Sequence, residues 1–121
     1  MMTEKGTLPV GVEFEGKVHQ DFELRSQFVR DTVDIFDDPV AGDRAERNNQ
    51  FFAASLFAGR LVKLGEIPKE QITVDMVLDL EQEDYMEIVQ AGKRLEERMA
   101  TFRGKTPAVA PEGTGDAQGG V

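Results

Sequence analysis

The sequence predicts an α+β fold in which an N-terminal antiparallel β-hairpin precedes a small bundle of about four α-helices. Three observations predict it. Apolar and polar residues alternate through much of residues 8–25, which is typical of half-buried strands. After Arg25 the apolar spacing changes to three and four residues, which is typical of amphipathic helices. Residues 103–121 are rich in Gly, Pro and Ala and lack periodicity, so we expect a disordered C-terminal tail.

The alternation fixes a predicted register for the hairpin, because a one-residue slip would turn a strand's apolar side chains to the opposite face. Placing Phe14 opposite Val18 puts both apolar sets on one face, with Glu15-Gly16-Lys17 as the loop. The other face is polar and includes His19, the single histidine, which we expect to be exposed rather than a general base. The free edges of such a hairpin invite pairing with another chain.

Apolar periodicity and start and stop signals predict four helices, over about residues 27–36, 42–64, 74–80 and 82–102. Ser26 and Thr73 are the expected N-caps of the first and third helices. Gly65, followed closely by Pro68, predicts the end of the second helix. Residues 1–102 then form a single domain, and residues 103–121 form a flexible tail.

Composition excludes several functional classes. The formal net charge is −9, which works against binding nucleic-acid phosphates or anionic lipid. The absence of cysteine excludes disulfides, thiolate zinc sites and a cysteine nucleophile. The sequence has neither a signal-like apolar run at its start nor the roughly 18 apolar residues of a membrane span. We therefore expect a soluble intracellular protein with no nucleic-acid partner and no membrane partner.

No pattern in the sequence predicts catalysis, a metal site or a cofactor. Ser26 and Ser55 have no base beside them in any recognisable pattern. The acidic run from Glu66 to Glu87 lacks the ordered loop of a calcium site. A solvated acidic face explains this run, and a docking surface for a basic partner is the alternative. We expect no enzyme, no metal and no cofactor.

Three phenylalanines at positions 51, 52 and 57 are the most suggestive apolar residues, because they lie at too many angles around one helix to face a single core. Core packing is the first explanation. The alternative is a surface that another subunit or a partner buries. With the apolar rows of both long helices included, the candidate residues for partner binding or self-association are Phe51, Phe52, Leu56, Phe57, Leu61, Ile88, Leu95 and Met99.

The order of these features resembles that of a known family. A hairpin with a turn glycine is followed by a strand ending in Leu-Arg, an Asp six residues later, and Leu-x-x-x-Asp-Tyr at the start of the last helix. Over about residues 7–100, this order resembles the tail assembly chaperones of Mu-like and P2-like bacteriophages, and "TLPVGVEFEGKVHQDFELR" is especially similar to the Mu-like branch. The chain departs from the family at Phe28, where Thr is frequent, and at Glu81, where Ser is frequent. The residues that carry the resemblance are Gly16, Leu24, Arg25, Asp31, Leu80, Asp84 and Tyr85.

The resemblance implies a chaperone that binds the tape measure protein, a long helical chain, and keeps it soluble while tail tubes polymerise. Such a protein acts in the host bacterial cytoplasm and is absent from the mature virion. In many such phages a frameshift also yields a longer form of the chaperone. Many copies are needed along one long client, so we expect a homo-oligomer whose contacts come from the hairpin edges and the helix spanning Phe51–Leu61.

Two other functions remain open from the sequence. One is a small structural tail or connector subunit of a phage virion. The other is an acidic inhibitor that mimics nucleic acid, which would need carboxylates spaced like phosphates along one surface.

Overall fold

A computed structural model describes residues 1–102 and confirms the α+β class. The predicted tail, 103–121, lies outside the described residues. The three strands form one antiparallel sheet of order β1-β2-β3: β1 Thr3–Phe14, β2 Lys17–Arg25 and β3 Leu61–Leu64. The helices are α1 Val29–Asp37, α2 Pro39–Arg47, α3 Asn49–Arg60, α4 Val74–Leu78 and α5 Gln82–Phe102, with a short 3-10 helix at Lys69–Gln71.

The hairpin forms, but its predicted register is wrong. Phe14 pairs with Lys17 rather than with Val18, and the connecting loop is Glu15-Gly16. Both loop residues have positive φ, 52° and 79°, as a tight two-residue hairpin turn requires. The shorter loop turns Val18 outward, where it is 62% exposed, and turns His19 inward, where it is 8% exposed. The expected exposure of His19 is therefore wrong.

A bulge in β1 separates two stretches of regular pairing with β2. Four residues, Leu8 to Gly11, stand opposite the single residue Gln20. The Gln20 side-chain amide donates to the first two carbonyl groups of the bulge, at 3.0 and 3.4 Å. The carboxylate of Asp84 accepts a hydrogen bond from each of the last two N–H groups, both at 2.9 Å. Side chains thus satisfy backbone groups that the sheet leaves unpaired.

The helix predicted over residues 42–64 is wrong, because this region contains α2, α3 and β3. Asn48 separates the two helices as the N-cap of α3, its side chain accepting from the N–H groups of the second and third residues beyond it. Asp38 caps α2 in the same way, and Pro39 occupies the first turn, where it needs no N–H partner. The last four residues of the predicted helix form β3, a strand too short for its alternation to be recognised.

The other three predicted helices are present. The bounds of α5 are those predicted, and Thr73 caps α4 by accepting a hydrogen bond from the N–H of Met76. The expected cap of α1 is wrong, because the helix begins after Phe28. Ser26 instead extends the strand pairing, its N–H donating to the carbonyl of Met2 at 3.1 Å.

The core lies between the inner face of the sheet and helices α3, α4 and α5. Helix α5 packs along β1, and Arg94 and Arg98 of this helix both pair with Glu4. Hydrogen bonds from both arginines lower the pKa of Glu4. The residues most completely removed from solvent in this core are Leu8, Leu24, Leu61, Leu64, Ile88 and Leu95.

Gly65 makes the turn that leaves β3, with φ of +55°, and its N–H donates to the carbonyl of Asp21 at 2.7 Å. The imidazole of His19 packs directly on this glycine, and a Cβ at position 65 would overlap the ring. The next N–H, that of Glu66, donates to Nδ1 of His19 at 3.2 Å, so the neutral ring carries its proton on Nε2. This contact joins the hairpin to the end of β3.

Gly65→Ala should destabilise the protein more than Gly16→Ala, because both sites have positive φ but only position 65 lacks room for a methyl group. We expect about 1 kcal/mol for Gly16→Ala from the left-handed backbone alone. We expect roughly 1–3 kcal/mol more for Gly65→Ala from the overlap with His19. Urea unfolding followed by circular dichroism measures both, and equal losses would contradict the packing of His19 on Gly65.

Candidate partner-binding surface

Helix α1, the residue before it and the start of α2 carry a set of exposed apolar side chains, which we call the α1 face. Its members are Phe28, Val29, Val33, Phe36 and Val40. Val29 is 84% exposed and Val40 is 80% exposed, and the other three are nearly half exposed. Five large apolar side chains are thus exposed within thirteen residues of the sequence, and exposed apolar patches mark interaction sites.

The amphipathic character of α1 is inverted relative to an ordinary surface helix. The side of α1 that faces the protein carries the carboxylate of Asp31, with Thr32 and Ile35 half-buried beside it. The apolar stripe of Val29 and Val33 faces outward instead. A helix normally buries its apolar stripe, so this orientation needs a specific polar attachment on the inner side.

Arg25 supplies that attachment. Its guanidinium donates two hydrogen bonds to the carboxylate of Asp31, at 2.7 and 3.0 Å, in a bidentate pair. The same group donates to the carbonyls of Ser26 and Gly59, at 2.9 and 3.0 Å. Arg25 therefore joins the end of β2, the start of α1 and the end of α3. We call this set of contacts the Arg25 joint.

Three further contacts complete the Arg25 joint. Asp31 accepts a hydrogen bond from the N–H of Phe28 at 2.8 Å, which caps α1 although Phe28 itself has no side-chain acceptor. The buried Arg60 donates from Nε to the carbonyl of Arg25 at 3.0 Å. The ring of Phe28 lies 4.6 Å from the Arg25 guanidinium, in cation–π contact. One end of the α1 face is thereby anchored to the joint.

The electrostatics of the joint favour its charged form. The hydrogen bonds from Arg25 hold the pKa of Asp31 below its ordinary value, against the opposing effect of burial. The hydrogen bonds to Asp31 raise the pKa of Arg25 in return. Burial lowers the pKa of Arg60 and of Lys69, whose ammonium lies 3.4 Å from the carbonyl of Ala58.

The α1 face continues onto α3 through one aromatic contact. The rings of Phe36 and Phe52 lie 5.8 Å apart between centroids, at an interplanar angle of 37°. Phe52 and Leu56, one turn later on α3, are both half-buried. These two candidate residues therefore lie near the exposed surface that the structure reveals.

The structure divides the eight predicted site residues into two groups. Phe52, Leu56, Phe57 and Met99 are half-buried and keep some surface for a partner. Phe57 uses part of its ring in an edge-on contact with Tyr85, whose pKa burial raises. The remaining four are core residues, and in this conformation they offer no surface to a partner: Phe51, Leu61, Ile88 and Leu95.

Sequence reasoning missed the α1 face, although its stripe is visible in the sequence. Val29, Val33 and Phe36 have helical spacing, but spacing alone does not say whether a stripe faces the core or the solvent. The usable signal was Asp31 in the middle of the same helix, six residues after Arg25. A carboxylate able to pair with a nearby arginine indicates which side of α1 faces the protein.

Within residues 1–102, no group of three or more His, Asp or Glu side chains is arranged to hold a metal ion. None of the described helices combines the length and the low polarity needed to cross a membrane. In comparisons with known proteins, no protein-family model, no curated protein and no solved structure matches this chain.

Asp31→Asn should cost about 3 kcal/mol of unfolding free energy, because it leaves the guanidinium of Arg25 without its buried partner. Asp43→Asn is the matched control. It breaks an exposed pair with Arg47 and should cost no more than about 0.5 kcal/mol. Chemical denaturation at neutral pH measures both, and similar losses would contradict the central role of the Arg25 joint.

The same pair predicts a pH dependence. Because the pKa of Asp31 is lowered in the folded protein, its stabilisation is present above the ordinary value of 3.8 and is lost as pH falls through the lowered pKa. The free energy of unfolding should therefore fall more steeply with acidification below about pH 4 for the native protein than for Asp31→Asn. Parallel curves would show that Asp31 has no lowered pKa. Glu4 titrates in both proteins and cancels from the comparison.

Proposed function

We propose that this protein is a non-enzymatic phage tail assembly chaperone that binds the tape measure protein and keeps it soluble during tail tube assembly. The observation that carries the proposal is the α1 face, an apolar surface held outward by a buried ion pair. The family resemblance of residues 7–100 supports it from the sequence. The site of action in this proposal is the host bacterial cytoplasm, and the protein is absent from the mature virion.

The α1 face meets the physical requirements of a chaperone that binds a long helical client. A long amphipathic helix exposes an apolar stripe that aggregates unless another apolar surface covers it. Val29, Val33 and Phe36 are spaced by four and three residues, so they form a ridge that packs along such a stripe. Because these side chains are exposed before binding, the chaperone loses little of its own packing when the client leaves.

Charge supports the same interpretation. A net charge of −9 keeps a protein with an exposed apolar face soluble and discourages its self-aggregation. Asp34, Asp37 and Asp38 lie exposed beside the apolar stripe, with Arg30 as the one basic residue on α1. Carboxylates in this position favour client helices that carry Lys or Arg next to their apolar stripe.

Self-association is part of the proposal. Phe52 and Leu56 extend the apolar surface onto α3, and β1 and β3 form the two edges of the sheet. Copies that meet through these features present repeated α1 faces to one long client. A frameshifted longer form of the chain would join the same assembly through the shared residues.

The decisive experiment is co-expression with the phage's tape measure protein and measurement of the soluble fraction of that client. Val29→Ser/Val33→Ser should abolish the gain in client solubility. The variant itself should stay folded, with unfolding free energy within about 0.5 kcal/mol of the native value, because both side chains are exposed. Val18→Ser/Met86→Gln is the matched control, since it removes two exposed apolar side chains that belong to β2 and α5 rather than to the α1 face.

Two outcomes would contradict the proposal. The first is a client that is equally soluble with and without the native protein. The second is equal loss of client solubility in the α1 variant and its control. Detection of the protein in purified mature tails would instead favour the structural subunit considered from the sequence.

Phe52→Glu and Leu56→Glu test the self-association surface separately. If copies meet through α3, each variant should reduce the molar mass measured by light scattering, because a buried carboxylate would face an apolar partner. Unchanged circular dichroism shows that the fold is retained in the variant. An unchanged mass in folded variants would reject α3 as the contact between copies.

A further inference from the structure

A groove of about 460 Å³ lies between the second half of β1 and the segment that leads from α4 into α5. Its apolar lining comes from Val10, Val12, Met76 and Leu80. Val10 is 45% exposed, and the other three are half-buried at the margin of the core. The volume suits a few side chains of a bound peptide, since sites for small ligands have similar volumes. We call this site the β1–α4 groove.

The rim of the β1–α4 groove is acidic. Glu13 lies on the strand side, and Asp79 and Glu81 lie on the helix side. All three are exposed, and none of them forms an ion pair within residues 1–102. No Lys or Arg lines the groove. These carboxylates differ from Glu4 and Asp31, which are occupied by arginines of the protein itself.

The walls of the groove are held in place before any partner binds. Asp84 is fully buried and accepts the N–H groups of Val10 and Gly11, so it fixes the bulge that forms the strand wall. Gly11 has φ of +99°, a conformation that glycine adopts readily, and a Cβ there would overlap the side chains of Val18 and Gln20 and the carbonyl of His19. On the opposite wall, Thr73 caps the start of α4 by accepting a hydrogen bond from the N–H of Met76. Preorganised walls reduce the ordering cost of binding.

We propose that the β1–α4 groove binds a short basic and apolar segment of a partner protein. One or two apolar side chains of that segment enter the groove, and flanking Lys or Arg side chains pair with Glu13, Asp79 and Glu81. This inference goes beyond the α1 face, shares no residue with it, and holds whichever protein the α1 face binds.

The lining of the groove disfavours anionic ligands, metal ions and purely apolar segments. Phosphates and acidic peptides would face three carboxylates and no cation. The three carboxylates are not grouped as a metal site in the described part of the chain. A purely apolar segment would desolvate the carboxylates without pairing them, which is unfavourable. A segment with both basic and apolar side chains pairs with the acidic rim and also packs against the apolar lining.

Fluorescence anisotropy with three short labelled peptides tests the proposal. The first alternates Lys with Leu or Val, the second replaces every Lys with Glu, and the third replaces every Leu and Val with Ser. Only the first should bind tightly, because it alone carries both chemistries. Its affinity should fall with added salt, as expected for exposed charge pairs. Equal binding of the first and third peptides would show non-specific charge attraction and would overturn the proposal.

Matched variants locate the site on the protein. Glu13→Gln/Asp79→Asn/Glu81→Gln should weaken binding of the first peptide at least about fivefold, as expected for losing three charge pairs. The control triple variant removes the same number of negative charges from exposed positions elsewhere, at Glu46, Glu70 and Glu97, each changed to Gln. It should change the affinity by less than about twofold. Equal weakening by both triple variants would reject the groove as the site.

A second pair of variants separates the groove from the α1 face. Val10→Ser should weaken binding of the first peptide, and Val40→Ser should leave it unchanged. Amide shifts in NMR spectra should concentrate at residues 10–13 and 73–81 when this peptide is added. Shifts concentrated on α1 would overturn the groove proposal. They would leave the chaperone proposal intact, because that depends on client solubility and on Val29 and Val33.

Discussion

The buried pair between Arg25 and Asp31 is the interaction on which the candidate surface depends. The Arg25 guanidinium connects the sheet, α1 and the end of α3, because it donates four hydrogen bonds to acceptors on these elements. A buried pair of this kind contributes less to net stability than to geometry, since desolvation offsets much of its attraction. Its main consequence here is orientation. By placing a carboxylate on the inner side of α1, it leaves the apolar side of that helix outward.

The sequence predicted the α+β class and much of the order of the elements. The predictions failed where a side-chain hydrogen bond to the backbone, rather than the spacing of apolar residues, decides the local structure. Helix α5 was predicted with correct bounds because its stripe extends over many turns. The continuous helix over residues 42–64 was wrong because one cap residue, Asn48, outweighs a long apolar pattern. The hairpin register was wrong because alternation revealed neither the two-residue loop Glu15-Gly16 nor the bulge in β1, whose backbone groups bond to the side chains of Gln20 and Asp84. Of the candidate site, Phe52 and Leu56 lie near the exposed surface, but the direction of α1 depends on a contact between residues that no periodicity connects.

Exposed apolar surface and strong negative charge act together in this molecule. The core is closed by the sheet and by α3, α4 and α5, so α1 contributes little apolar burial to it. An apolar helix face left outside would drive self-aggregation in a neutral protein. The excess of acidic residues opposes that aggregation and still permits contact with partners that carry basic groups. The net charge of −9 thus counteracts the tendency of the exposed face to aggregate.

The acidic run from Glu66 to Glu87 separates into residues with different physical roles. Asp84 is part of the fold: it is fully buried, lies in the first turn of α5, and accepts two N–H groups from the bulge of β1. A carboxylate at this position gains from both the helix dipole and charge-assisted hydrogen bonds. Asp79 and Glu81 have no such partners among the described residues, and they stand at the rim of the groove that Asp84 holds open. Structural need therefore explains the buried carboxylate of Asp84 but not the exposed carboxylates of Asp79 and Glu81. For this reason we propose the groove, rather than the acidic run as a whole, as the binding site for a basic segment.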